Sequence, residues 1–297
     1  MLEFKQLELS DLDIIKPFFN YSVNKICDNS VGGALMWRDF FQVKYAMYND
    51  TIIFKSRVVY GNNITAFSFP LGKDIAGSLE KIVEYCAARD LYTSFHTVTS
   101  AEVDLLETFF PNFELFMETD WSDYIYHSKD LRALSGRKYH GQRNHMNFFK
   151  KEYPNHSFEV ITPDNLMLVK EFYLSLSKKL IFDTAIASEE HARTIELLDN
   201  YDHYALFGGL LKVDDAVVAF SVGENINNVM FVHIEKADIT YRGAFQVINN
   251  ELVKYFATDE IEYINREEDV GDAGLRYSKQ SYHPCEILDK YIFLVVK

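Results

Sequence analysis

Cysteine is scarce and poorly placed for any shared chemistry. Cys27, Cys86 and Cys285 are the three present, an odd number with no CxxC spacing, which argues against a disulfide framework and a cysteine zinc site. With 6 prolines and 13 glycines, long linkers and low-complexity tracts are excluded as well. The longest apolar run, Tyr291 to Val296, has six residues, far short of the roughly 20 needed to span a bilayer as a helix. The opening MLEFKQLELSDLD carries acids where a secretory leader is basic and then apolar. Together these absences predict a chain folded almost throughout, in a reducing cytoplasm, with no integral membrane segment. No G-x-S-x-G, P-loop or dinucleotide fingerprint is present. His140 and His145 are five apart, unlike the i, i+4 pair of a zinc helix, and His191, His203, His233 and His283 have no spaced carboxylate or cysteine. These histidines read as structural, and no metal is expected.

What is present fills two cores. A length of 297 residues suits two domains of about 150, and 48% hydrophobic residues, with 24 Phe and 19 Tyr, supply the interiors. The net charge of −14 disfavours nucleic acid and anionic lipid over most of the surface. One segment reverses it. Between Lys129 and Lys151, seven Lys and Arg face Asp130 alone, a net +6 that leaves −20 for the remainder.

Periodicity gives the order of elements. In the second half, Ser157 to Ile161 reads as a strand, a helix runs from Pro163 to about Ser177, and another from Ser188 to about Asn200. Three strand-like runs follow, HYALFGGLLKV, AVVAFSVGE and NVMFVHIEK, joined by turn signals into an antiparallel meander. GAFQVINNELVKYFA places Phe245, Ile248, Leu252 and Phe256 on one helical face. A strand (IEYIN), a short helix (Gly271 to Tyr282) and a closing pair, CEIL and YIFLVV, end the half. The first half repeats this order, from the helix-like DLDIIKPFFNYSVNKI to a closing pair FELF and YIYH. Two copies of one α/β (α+β) domain are expected, each a mixed, mostly antiparallel sheet flanked by helices: residues 1–128, a basic helical connector 129–152, and residues 153–297.

This order is similar to the GNAT acyltransferase fold in tandem. With EEDVGDAGLRYSKQSYHP near the end and GRKYHGQRNHMNFFKKEYP between the halves, the chain resembles the soluble domain of phosphatidylglycerol lysyltransferases. More distantly it resembles the Fem-type aminoacyl-tRNA transferases, through Gly274, Tyr277 and Lys279. The resemblance implies transfer of an acyl or aminoacyl group from acyl-CoA or aminoacyl-tRNA, neither tightly bound, to the amine or hydroxyl of a small molecule or lipid headgroup. A non-catalytic tandem module binding nucleotide, tRNA or protein is the alternative.

The polar residues concentrate between Val229 and Pro284, so the second domain is expected to be active and the first a scaffold. A helix start at Arg242 and Gly243 suits an anionic donor, although Thr240-Tyr241-Arg242-Gly243-Ala244-Phe245 departs from the R/Q-x-x-G-x-G/A loop of CoA-dependent enzymes by Thr240 and Phe245. Asp238 and Arg242, four apart, are spaced to pair, and Gln246 lies one turn beyond Arg242. The resemblance assigns Asp238 and Arg242 to the aminoacyl-tRNA site and Lys279 to the transferred group or its phosphate. Glu267 or Asp269 would assist proton removal. In the short helix, Leu275, Ser278 and Tyr282 read as the buried stripe, with Arg276 and Lys279 on the opposite face. In the basic segment, Met146, Phe149 and Tyr153 form the apolar side, leaving Arg143, Asn147, Lys150 and Lys151 for the phosphates of tRNA or lipid.

Overall fold

A computed structural model describes residues 1–60 and 62–296. Chain contacts divide it into two units: Met1–Asp123 with Glu268–Gly271 and Ile287–Lys297, and Tyr124–Glu267 with Asp272–Glu286.

The first stretch comprises β1 (Lys5–Gln6), α1 (Leu12–Phe19), α2 (Val31–Met36), β2 (Lys44–Tyr48), β3 (Thr51–Tyr60), β4 (Asn62–Phe67), β5 (Leu71–Gly72), α3 (Ile75–Ala87), β6 (Ser94–Val98), α4 (Ser100–Phe109) and β7 (Phe113–Met117). Helix α2 forms although VGGALM carries two glycines, which are poor helix formers. It forms because Ser30 caps it, accepting from the Gly33 N–H. The core of this unit is aromatic, with Phe67, Phe95 and Phe293 buried beside Leu79 and Ile82 of α3.

The chain continues through β8 (Asp123–His127), α5 (Ser128–Ala133), α6 (His140–Glu152), β9 (His156–Val160), α7 (Leu166–Ser177), α8 (Ala185–Asp199), α9 (Tyr201–Tyr204), β10 (Phe207–Val213), β11 (Ala216–Ile226), β12 (Val229–Ala237), α10 (Ala244–Phe256), β13 (Tyr263–Asn265), α11 (Ala273–Gln280), β14 (Glu286–Leu288) and β15 (Tyr291–Val295). The meander β10–β12 is present as expected, with antiparallel pairing throughout. The buried face of α10 covers it with Val247, Ile248 and Leu252. Helix α6 is no free connector: Met146 and Phe149 are buried in the same core.

The two sheets run β1-β2-β3-β4-β6-β15-β7, with β5 on β3, and β14-β8-β13-β12-β11-β10-β9. Each follows one plan, an antiparallel meander joined in parallel to a fifth strand (β4 to β6, β12 to β13), as in the GNAT fold. The closing strands do not stay in their own half. YIYH forms β8, which pairs with β13 of the second sheet, and YIFLV forms β15, which sits between β6 and β7 of the first. The expected local pairs are thereby corrected to an exchange, and for the same reason the units do not follow the sequence halves. The two strands are equal in length and largely apolar, so either sheet could take either; within the first, Phe293 is buried and stacks 4.4 Å from Phe113.

An ion cluster anchors that strand. Lys290, fully buried, places Nζ 2.7 Å from Asp28, 2.9 Å from Asp123 and 2.7 Å from Glu268. Burial alone would strip its proton, but Asp123, Asp28 and Glu268 hold it charged. Cys27 joins the cluster, its Sγ 3.4 Å from Nζ and its N–H donating to Asp123. Replacing Lys290 by Met leaves three carboxylates without their cation, and we expect a loss of about 3–5 kcal/mol in urea unfolding. Asp28→Asn should cost less, because Asp28 is partly solvated. A Lys290→Met loss below about 1 kcal/mol would contradict the role given to this cluster.

Candidate functional site

Strands β12 and β13 pair only from Val229 with Tyr263 to Phe231 with Asn265. Beyond that point β12 continues to Ala237 and β13 ends, opening a notch in the second unit. Opposite β11 the register passes from Val222 with Ile234 to Gly223 with Val232, so His233 is the extra residue of a β-bulge. Bulges redirect a side chain. Here His233 lies between two acids, Nδ1 2.7 Å from Glu267 and Nε2 2.9 Å from Glu224. Burial would depress it, but the hydrogen bonds to Glu224 and Glu267 raise its pKa to about 10, making it an imidazolium at neutral pH.

Two residues along the same strand, Glu235 accepts from Arg266 Nη2 (3.0 Å) and Asn249 Nδ2 (2.8 Å). Arg266 is buried and lies over the ring of Tyr282, with its guanidinium carbon 4.8 Å from the centroid. Its Nη1 and the Oδ1 of Asn249 are buried with no hydrogen-bond partner among the described residues. Unsatisfied buried polar atoms are costly and mark where a ligand atom is wanted. Tyr126, also near Arg266, donates its hydroxyl to the Lys279 carbonyl at 2.7 Å. Lys279 is 6% exposed, with Nζ 5.8 Å from the Tyr124 ring centroid. Arg266, Glu235, Asn249 and the rings of Tyr126 and Tyr282 thus share one face of the sheet, while His233, Glu224 and Glu267 lie at its other face, since Glu224 and the Ser221 opposite Glu235 point to opposite sides of β11.

The expected residues are only partly brought together. Lys279 is held on the Arg266 face through the bond of its carbonyl to Tyr126, whereas Glu267 sits with His233 and Glu224 at the other face. Asp269 is buried and accepts from the Gly271 N–H in a turn of the first unit. Glu268, between Glu267 and Asp269, is ion-paired with Lys290. The orientation of α11 departs from the expectation at two residues: Tyr282 is buried as expected and Ser278 half-buried, but Leu275 is 39% exposed while Lys279 is buried and Arg276 half-buried. The cationic face points inward, where tyrosines receive it.

Asp238 does not pair with Arg242. It accepts from Thr240 and binds Lys179 at 3.0 Å, whereas the Arg242 guanidinium carbon lies 4.7 Å from the Phe148 ring centroid. Gln246 is half-buried on α10. Gly243 begins α10 at φ +96. A Cβ there would lie 2.4 Å from the His145 carbonyl oxygen and 3.0 Å from Phe149, so the glycine admits α6 beside the helix start.

The basic segment is largely self-satisfied. Arg143 donates to the carbonyls of Leu134 and Gly136, Lys150 meets Glu251, Arg132 meets Asp259 and Lys138 meets Asp130. This corrects Arg143 and Lys150 as freely offered cations. Asn147 and Lys151 are exposed, as are Lys129 and Arg137.

Sequence reasoning passes over Arg266, Glu224, Glu235 and Asn249, and reads His233 as structural. The signal lies in VMFVHIEK, where His233 and Glu235 interrupt an otherwise apolar strand; the bulge at His233 sends the two to opposite faces. His233 carries a pH prediction. Its folded pKa is raised, so its stabilisation is complete below the unfolded value of about 6.5 and is lost as pH rises toward 10. Urea unfolding should therefore show the wild type weakening across that window, while His233→Gln shows a flatter profile. Parallel profiles would refute the buried imidazolium.

The phosphatidylglycerol lysyltransferase C-terminal family model matches residues 19–294. A conserved protein of unknown function from Bacteroides thetaiotaomicron is 31% identical, covering 100% of both chains with a TM-score of 0.90. L-PGS from Bacillus licheniformis shares the fold at 14% identity and a TM-score of 0.66, over 95% of this chain and 91% of that one. An uncharacterised protein of Mycoplasmoides gallisepticum is 31% identical over 183 residues, 59% of this chain and 56% of its own length; the chain thus matches little more than half of that relative. Among the described residues, no helix is long and apolar enough to cross a membrane. Matched along nearly all of its length, the chain belongs to the phosphatidylglycerol lysyltransferase C-terminal family.

Proposed function

We propose that the protein is an aminoacyltransferase acting at the notch of its second unit, moving an aminoacyl group from a tRNA ester to an amine or hydroxyl acceptor. The observation that carries this reading is the Nη1 of Arg266, a buried guanidinium donor without an acceptor among the described residues; Tyr126, beside that guanidinium, binds the backbone of the buried Lys279. Two cations there suit the oxyanion that develops when a nucleophile attacks an ester carbonyl. Family membership supports the reaction class: the family's name describes lysyl transfer to phosphatidylglycerol.

In the proposed step the acceptor nitrogen or oxygen attacks the ester carbon, whose carbonyl oxygen becomes the oxyanion facing Arg266 and Lys279. Glu267, a carboxylate beside the His233 imidazolium, takes the acceptor's proton. The tetrahedral intermediate collapses, the ribose oxygen departs, and that proton neutralises it. No external acid, reductant or metal is required for the balance. Thr240 and Phe245, the departures from the R/Q-x-x-G-x-G/A loop, disfavour the pyrophosphate of an acyl-CoA, which is why the tRNA ester is the preferred donor. A lipid headgroup suits as acceptor by the family's chemistry, and Lys129, Arg137 and Lys151 are the exposed cations available to donor phosphates.

Transfer from lysyl-tRNA should fall about 10²–10³-fold in Arg266→Lys, which keeps the charge and loses the planar fork, and in Lys279→Ala. Circular dichroism should report both as folded. tRNA binding should weaken steeply with salt, and the slope should shrink when Arg137 and Lys151 are neutralised. Unchanged transfer in both notch variants would refute the site. Saturable CoA binding with no tRNA binding would replace the donor, and binding of tRNA with no turnover on any acceptor would mark a non-catalytic module.

A further inference from the structure

The first unit, expected to be scaffold, has a polar interior that is unusual in three independent ways. In the pairing of β6 with β15, Tyr291 faces Val98 and Phe293 faces Phe95, so His96 and Thr97 together oppose Ile292. This is a bulge one residue from Lys290. Within it Thr97 has φ +51, a region that a β-branched residue adopts only when its surroundings force it. Both side chains end in buried atoms without a hydrogen-bond partner among the described residues, Nε2 of His96 and Oγ1 of Thr97, and His96 is 7% exposed.

Residues opposite one another share a face, and Ile292 shares its face with Lys290 two positions earlier, so the bulge residues His96 and Thr97 lie on the Lys290 side of the sheet. Asp28, whose carboxylate is bound to Lys290 at 2.7 Å and is 29% exposed, forms the solvent-facing edge of the ion cluster and acts electrostatically on His96, Glu102 and Glu118. Glu102 is fixed by Asn24 and Thr99, and the Glu118 N–H donates to the Lys290 carbonyl. The balance of charge is negative: Asp28, Asp123 and Glu268 surround the single ammonium of Lys290. Burial keeps His96 neutral, with a pKa of about 4, so one of its two ring nitrogens is an acceptor, and a donor beside it selects the tautomer that offers Nε2. Cys27, Asp123 and Glu268 lie mutually within 4.8 Å, but Lys290 already fills that space with its own cation.

We propose that the first unit binds a primary ammonium ligand at the solvent-facing edge of the Lys290 cluster, with its three N–H groups shared among Asp28, His96 Nε2 and Thr97 Oγ1. A primary ammonium has three donors and no acceptor, which matches a carboxylate, a neutral imidazole and a hydroxyl. It also offsets the excess negative charge and satisfies the two buried atoms. The ligand class is a small alkylamine or the amine-bearing end of a larger molecule. Binding at this edge is independent of the reaction assigned to the second unit.

The test uses the full chain and three probes, n-butylammonium, 1,5-diaminopentane and the neutral n-butanol, with titration calorimetry and nitrogen NMR of the histidine rings. The expected result is saturable binding of both amines and not of butanol, weakened about tenfold or more by Asp28→Asn, with the His96 resonance shifted in the wild type on addition of amine. His96→Phe should weaken binding likewise; where that variant does not fold, the wild-type His96 shift decides. No saturable amine binding, equal binding of butanol, an unmoved His96 resonance, or affinity unaffected by Asp28→Asn would each overturn the site. Zinc binding abolished by Cys27→Ser, with no amine binding, would also overturn it in favour of a metal site.

Discussion

The buried ammonium of Lys290 is the constraint on which the arrangement of this chain depends. Asp123 ends the first segment of its unit, Glu268 begins the second and Lys290 lies in the third, so one cation draws together stretches far apart in sequence. A lone charge at such depth is prohibitive, and three carboxylates without it would be equally so. The cluster is stable only when β15 has entered the first sheet in register. Hydrophobic burial of Ile292 and Phe293 supplies much of the driving force for that insertion, but apolar character does not choose between two similar sheets. Charge pairing supplies the selectivity.

The second unit uses the same physics for another end. Its interior carries His233 between Glu224 and Glu267, and Arg266 against Glu235, where the strands β12 and β13 part. Each ion is paired, yet among the described residues Arg266 Nη1 and Asn249 Oδ1 are left over. A purely structural network would have closed on itself, since an unmatched buried donor contributes nothing to stability. The residual donor, with Lys279 turned inward on α11, therefore points to a ligand oxygen.

The order of elements, the meander, the face of α10 and the repetition of one plan are legible in the sequence because periodicities of 2 and 3.6 are local properties. The exchange of β8 and β15 is not, since YIYH and YIFLV are both short, largely apolar strands and no local signal names the sheet they join. The orientation of α11 escapes the sequence for a related reason. Hydrophobicity places Leu275 inside and the cations outside, whereas tyrosines of β8 receive Lys279 and leave Leu275 exposed. The charge of the segment 129–151 is countable, but its consumption by backbone carbonyls at Arg143 and by Glu251 at Lys150 is a tertiary fact. Glu267 is found through its motif, while its partner His233 lies 34 residues away, beyond the reach of spacing rules.

The most direct measurement is a crystal structure with a non-hydrolysable lysyl-adenosine amide, a mimic of the aminoacylated tRNA end. The lysyl carbonyl oxygen should then lie within hydrogen-bond distance of Arg266 Nη1, with Lys279 on the same oxygen or its neighbouring phosphate position. A mimic bound elsewhere, with Arg266 Nη1 facing only protein, would contradict the assignment of the notch as the site of transfer.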